Sequence, residues 1–156
     1  MKGALFNIIA TRVEESNVLD VFAGTGSLGI EALSRGAAGA VFFDKSAECC
    51  SIIKENLTHT KLIEKAEVYT TDFALGIDRL YRDGRKFDII FLDPPYNKNL
   101  IQETLKILDK DDIIKDSGIV IVEHDISDML PEHTELIEKI YTKKYRDTAL
   151  TIYTRR

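Results

Sequence analysis

The sequence predicts an α/β fold: one doubly wound, mostly parallel sheet with helices on both faces. Three observations predict it. Short β-branched apolar runs alternate with helical patterns along the chain. Several of those runs close on glycine or an acid where the next element begins. No repeat, low-complexity tract or linker breaks the 156 residues, so 1–156 reads as a single domain with room for a real core. Strands alternating with helices imply right-handed crossovers and therefore parallel neighbours.

The elements follow in order. Val18–Gly24, VLDVFAG, is a buried strand closed by glycine. Ser27–Arg35 carries Leu28, Ile30, Ala32 and Leu33 and stops at Gly36, which reads as a helix. GAVFFDKS is a second strand, and its Ser46 is placed to cap a helix with Ile52, Ile53 and Leu57 on one face. AEVYTTD is a third strand, followed by a short helix through Leu80. KFDIIFLD is a fourth. Asn99–Leu108 places Leu100, Leu105 and Leu108 at helical spacing. GIVIVEHD is a fifth strand. The tail, LIEKIYTKKYRDTALTIYTRR, alternates as a closing hairpin around Arg146–Asp147.

Composition narrows the function classes. No apolar run approaches the roughly 20 residues of a membrane span, and MKGALFNIIATRVEE is a poor secretion signal. A cytoplasmic protein is expected. Cys49 and Cys50 are neighbours in a predicted helix and do not face each other, so a disulfide framework is not expected. His59, His124 and His133 lack metal-ligand spacing, and no structural metal is expected. His124 reads as a core or loop residue. The net charge of −5 argues against a protein built mainly to coat nucleic acid. Lys143, Lys144, Arg146, Arg155 and Arg156 gather near the C-terminus, either as a local basic patch or as a solvated strand pair.

Ligands of doubly wound sheets sit at the carboxyl ends of the strands. That rule selects Asp20–Gly29, Asp44, Asp72 and Asp93–Tyr96. DVFAGTGSLG holds Gly24, Gly26 and Gly29 between a strand and a helix, flanked by Phe22 and Thr25. Such a turn either cradles a ligand or lets a helix pack close to the sheet. Asp44, followed by Lys45, closes the next strand at the position of a ribose-binding carboxylate. A nicotinamide dinucleotide would share these features. Asp20 argues against it, because a carboxylate before the glycines repels a pyrophosphate. It suits a ligand with an ammonium group and no phosphate, such as S-adenosylmethionine. The alternative for Asp20 is a turn or helix cap.

Asp93-Pro94-Pro95-Tyr96 ends the fourth strand. The prolines stiffen the backbone in an extended form. Asp93 and the Pro94 carbonyl can then accept both N–H bonds of an exocyclic base amine and align it for methyl transfer. Tyr96 offers a ring face to a flipped base. The alternative is a strand-ending turn with a core tyrosine.

The segments GALFNII, VLDVFAGTGSLGIEALSRGA and FDIIFLDPPY resemble the RsmD family across Gly3–Tyr153, in that family's order. The resemblance implies a Rossmann-like class I S-adenosylmethionine-dependent methyltransferase with a seven-stranded sheet and an antiparallel last strand. It implies methylation of guanine N2 in small-subunit (16S) ribosomal RNA, on naked RNA or the assembling subunit. It places the cofactor on Asp20, Gly24, Gly26, Asp44 and Asp72, with Phe73 beside the adenine, and the target base at Asp93–Tyr96. Members of the family usually carry a basic segment before LFN, whereas this sequence begins close to that point. The other readings are a DNA amino-methyltransferase and a cofactor-binding RNA-associated module that is inactive without such an arm. No oligomer is predicted.

Overall fold

The computed structural model describes residues 2–95 and 98–156, with Lys98 described by its backbone alone. Its strands are β1 (Asn17–Asp20), β2 (Gly39–Asp44), β3 (Ala66–Thr70), β4 (Phe87–Leu92), β5 (Ile114–Asp125), β6 (Ile137–Lys144) and β7 (Thr148–Arg155). They form one sheet in the order β3-β2-β1-β4-β5-β7-β6. The first five in that order are mutually parallel, and β7 runs antiparallel to both β5 and β6. This is the predicted architecture.

Among the described residues six α-helices cover the sheet: α1 (Lys2–Ile8), α2 (Ala10–Val13), α3 (Ser27–Ser34), α4 (Ala47–His59), α5 (Phe73–Arg82) and α6 (Lys98–Lys110). The period of two along each strand divides the apolar residues between two cores. On β4, Ile89 and Phe91 join Phe6, Phe42 and Ile53 on one face. Ile90 and Leu92 join Phe43, Ile77 and Leu105 on the other. Ser46 caps α4 as predicted, its side chain accepting from the Cys49 N–H at 3.1 Å. Cys49 and Cys50 are both free, and no helix among the described residues is long and apolar enough to cross a membrane.

The structure departs from the sequence reading in four places. β1 ends at Asp20 rather than Gly24. Beyond it the chain leaves the ladder, and Ala23 N–H reaches the Phe43 carbonyl at 2.9 Å instead. Gly24 therefore lies within the turn that leads to α3, not at the end of the strand. β5 begins earlier than GIVIVEHD, at Ile114, and passes through an irregularity at Ser117, whose φ is 64°. α1 and α2 have no counterpart in the sequence reading. They bury Leu5, Phe6 and Val13, with Ile9 buried between them, and the Phe6 ring stands 5.9 Å from that of Phe91, under the Arg35 guanidinium.

The fourth departure concerns charge. The five C-terminal cations do not gather. Ile137 pairs with Arg155, so the hairpin sends Arg155 and Arg156 to the far end from Lys143, Lys144 and Arg146. Arg155 is held by Asp112 at 2.5 Å, and Arg156 donates to the Thr134 carbonyl at 2.9 Å. Neighbours in sequence are separated because an antiparallel pair folds its two ends back together.

Candidate active site

The carboxyl ends of β1, β2 and β4 meet at a cleft of about 570 Å³. Asp20, Phe22, Gly24, Thr25, Asp44 and Lys45 line it from β1 and β2, and Phe73, Asp93, Pro94 and Pro95 line it from α5 and β4. Ten of the predicted residues are thus brought together. Tyr96 lies outside the described residues.

Asp20 ends β1 on the same face as Val18 and is 1% exposed. Its Oδ2 accepts the Gly29 N–H at 3.2 Å, which ties the strand end to the first turn of α3. Burial lifts its carboxyl to about 7, with the Asp93 and Asp44 charges adding to the rise and the Gly29 bond opposing it. No cation among the described residues offsets it. Asp44 accepts the Gly24 N–H and the Ser46 N–H, each at 2.9 Å, and so pins the glycine turn to the start of α4. Gly24 has φ of 58°, and a Cβ there would meet nothing within 4 Å, so its backbone borders open space.

Three predicted residues stand off the cleft. Gly26, with φ of 82°, is the N-cap of α3 and shapes the turn. Gly29 faces the sheet, where a Cβ would come 2.3 Å from the Phe42 ring. Here the glycine lets α3 pack closely, the alternative that the pattern left open. Asp72 caps α5 by accepting the Ala74 N–H at 3.1 Å, while its other oxygen lies 3.6 Å from the Lys45 ammonium.

The sequence reading missed Glu123. Register places Leu92 opposite Val122, so the next pair is Asp93 and Glu123, and their carboxyls share a hydrogen bond. Burial, then the charge of Asp93, pushes half-buried Glu123 up to about 7. Asp93 is also raised by burial, although the residue is exposed at the rim and the Glu123 bond opposes the rise. In the sequence Glu123 is only an acid following the apolar run Ile119–Val122, and the pairing of β4 with β5 is what sets it beside Asp93. His124 is a satisfied core residue, as expected, with Nε2 2.8 Å from Thr151 Oγ1 and Nδ1 2.9 Å from the Asp125 carbonyl. A larger hollow of about 650 Å³ lies between α6 and the 129–135 segment. It shares no lining residue with the cleft, and the Asp109 carboxylate within it is spent on Thr134, Glu135 and Leu136.

Asp20 supplies a testable pH effect. It binds its proton more tightly folded than unfolded, so folding takes up a proton between about pH 4 and 7 and stability falls as pH rises through that window. Asp20→Asn keeps an oxygen for the Gly29 N–H and removes the charge. At pH 8 it is expected to be more stable than the parent by on the order of 3 kcal/mol, shrinking toward zero near pH 4. Urea unfolding at several pH values checks this; a pH-independent difference would contradict the buried charge.

The sheet order, the antiparallel β7 and the acid-ended strands around one cleft define the Rossmann-like fold of S-adenosylmethionine-dependent methyltransferases. The chain belongs to the family described as conserved hypothetical protein 95, whose profile matches residues 1–154, and it is RsmD-like, as the motifs predict. It is 33% identical over 142 residues to ribosomal RNA small subunit methyltransferase D of Haemophilus influenzae, covering 89% of this chain and 73% of that protein. It is 32% identical over 131 residues to the Escherichia coli (strain K12) protein of the same name, covering 84% of this chain and 64% of that protein's length. A solved structure described as a conserved hypothetical protein from Streptococcus pyogenes matches with a TM-score of 0.91 at 33% identity, covering 100% of this chain and 96% of that one.

Proposed function

We propose that this chain transfers a methyl group from S-adenosylmethionine to the exocyclic N2 amine of a guanine in small-subunit ribosomal RNA. The observation that carries the reading is the shared cleft: the glycine turn with Asp20 and Asp44 faces the same space as Asp93 and Pro94. The residues fit this cofactor. Asp20 is a buried carboxylate without a counter-charge among the described residues, and an ammonium group meets that need. Asp44 retains lone pairs for ribose hydroxyls, and Phe73, packed against Phe22, borders the cleft on the side where an adenine would lie. Three carboxylates around one space repel a pyrophosphate, which disfavours a dinucleotide.

When bound, S-adenosylmethionine supplies an electrophilic methyl group on a positively charged sulfur. Asp93 Oδ and the Pro94 carbonyl accept the two amine N–H bonds and turn the nitrogen lone pair toward the cofactor side of the cleft. The raised Asp93 carboxyl can then hold the proton that the methylated nitrogen releases. Asp93 and the Pro94 carbonyl make a rim of acceptors, with Glu123 beside Asp93. Guanine presents two adjacent donors, N1–H and the N2 amine, whereas adenine sets its amine beside a bare acceptor. Such a rim favours guanine. Glu123, bonded to Asp93, is the positioning residue of this rim. The relatives named above as small-subunit ribosomal RNA methyltransferases support the substrate class.

Thermal unfolding tests the cofactor. At 100-fold excess over Kd, S-adenosylmethionine or its demethylated product is expected to add about 2.7 kcal/mol to stability and raise Tm, while NAD leaves Tm unchanged. A shift with NAD and none with S-adenosylmethionine would overturn the assignment.

A further inference from the structure

We propose that the tip of the β6–β7 hairpin, through Lys143, Lys144 and Arg146, grips the RNA phosphates flanking the target base; this rests on the RNA reading above. The first observation is register. Glu123 pairs with Leu150 on β7, and Leu150 pairs with Lys143 on β6. Asp93, Glu123, Leu150 and Lys143 therefore form one row across the sheet. Leu150 buries with Ile121 and Phe91, so the row lies on the face that carries Asp93. Three strand spacings separate β4 from β6, roughly 14 Å along the edge. A base in the cleft and its neighbouring phosphates span such a distance.

The second observation is charge. Arg35, Arg79, Arg82, Arg85 and Arg155 are each paired with carboxylates. Lys143, Lys144 and Arg146 are exposed, and none forms an ion pair among the described residues. A chain of net charge −5 thus leaves three cations free at the edge that holds its cleft. Asp147 is the one acid of the turn, and its carbonyl accepts the Ile126 N–H, which ties the tip to the end of β5.

The third observation is aromatic interleaving. Tyr145 packs against the core of that face, and the Lys143 ammonium lies 5.6 Å above its ring, so the tip is braced. Tyr141 is also exposed on β6. Lysines on an edge strand also discourage strand-to-strand aggregation. That role explains cations spread along an edge. It does not require three at the tip, in the row of Asp93.

The test is binding of transcribed small-subunit ribosomal RNA across a salt series, comparing the parent with K143A/K144A/R146A. The parent's affinity should fall steeply with salt. The triple variant should bind at least about tenfold more weakly near 0.1 M salt, with a log–log salt slope shallower by about 2 to 3. Its Tm, cofactor affinity and kcat at saturating RNA should match the parent, and K143R/K144R/R146K should restore binding. A parent that binds and methylates RNA, with a triple variant indistinguishable from it, would overturn the hairpin assignment alone. A parent that binds no RNA would overturn the RNA reading together with it.

Discussion

Asp93→Ala is expected to lower methyl transfer on the order of 100-fold or more while leaving cofactor affinity nearly unchanged. The separation follows from where Asp93 stands. It follows directly on β4, lines the cleft opposite the glycine turn, and bonds to Glu123 rather than to any backbone group that shapes the cofactor cradle. An exocyclic base amine is a weak nucleophile, since its lone pair is delocalised. Its reaction depends on alignment, which Asp93 and the Pro94 carbonyl provide as fixed acceptors. Asp93 is exposed, so its loss opens no core cavity and the variant should fold. Asp93→Asn keeps one acceptor oxygen and introduces a donor, and should fall between alanine and the parent. Single-turnover methyl transfer and calorimetric cofactor binding, measured on the same samples, check the pair of expectations. Lost cofactor affinity with an intact chemical step would mean that Asp93 belongs to the cradle.

Asp44→Ala should do the converse. Its carboxylate holds the Gly24 and Ser46 N–H groups, each at 2.9 Å, and would accept the ribose hydroxyls as well. Removing it takes charge-assisted bonds from the ligand and frees the turn that borders it. Bonds of this kind contribute about 1.5 to 3 kcal/mol each, so the cofactor Kd should rise roughly 10- to 100-fold. At saturating cofactor the rate should recover much of its parent value, because the acceptors on β4 are untouched. Unchanged affinity would remove Asp44 from the ribose role.

Both residues were legible in the sequence for the same reason. A carboxylate closing a buried apolar run has no structural use unless something at the strand end needs it, and parallel sheets collect those ends on one edge. The Ser46 cap and the Arg146–Asp147 turn were legible because local rules fix them. Other features depend on tertiary partners. α1 is short and carries no cap signal; its helix is held by Phe6 packing on Phe91 and Arg35, contacts that exist only once the sheet has formed. Gly29 reads as part of a ligand loop until Phe42 is seen 2.3 Å from its would-be Cβ. Asp72 is shared between capping α5 and pairing with Lys45, and sequence order does not weigh one against the other. Glu123 gained meaning only when β4 and β5 were placed side by side, with Asp93 across from it.

The most direct test of the central claim is transfer of labelled methyl from S-adenosylmethionine to small ribosomal subunits purified from cells that lack the modification, followed by digestion to nucleosides. Label is expected in N2-methylguanosine and is lost with Asp93→Ala. Label in N6-methyladenosine, or transfer that survives Asp93→Ala intact, would contradict that claim.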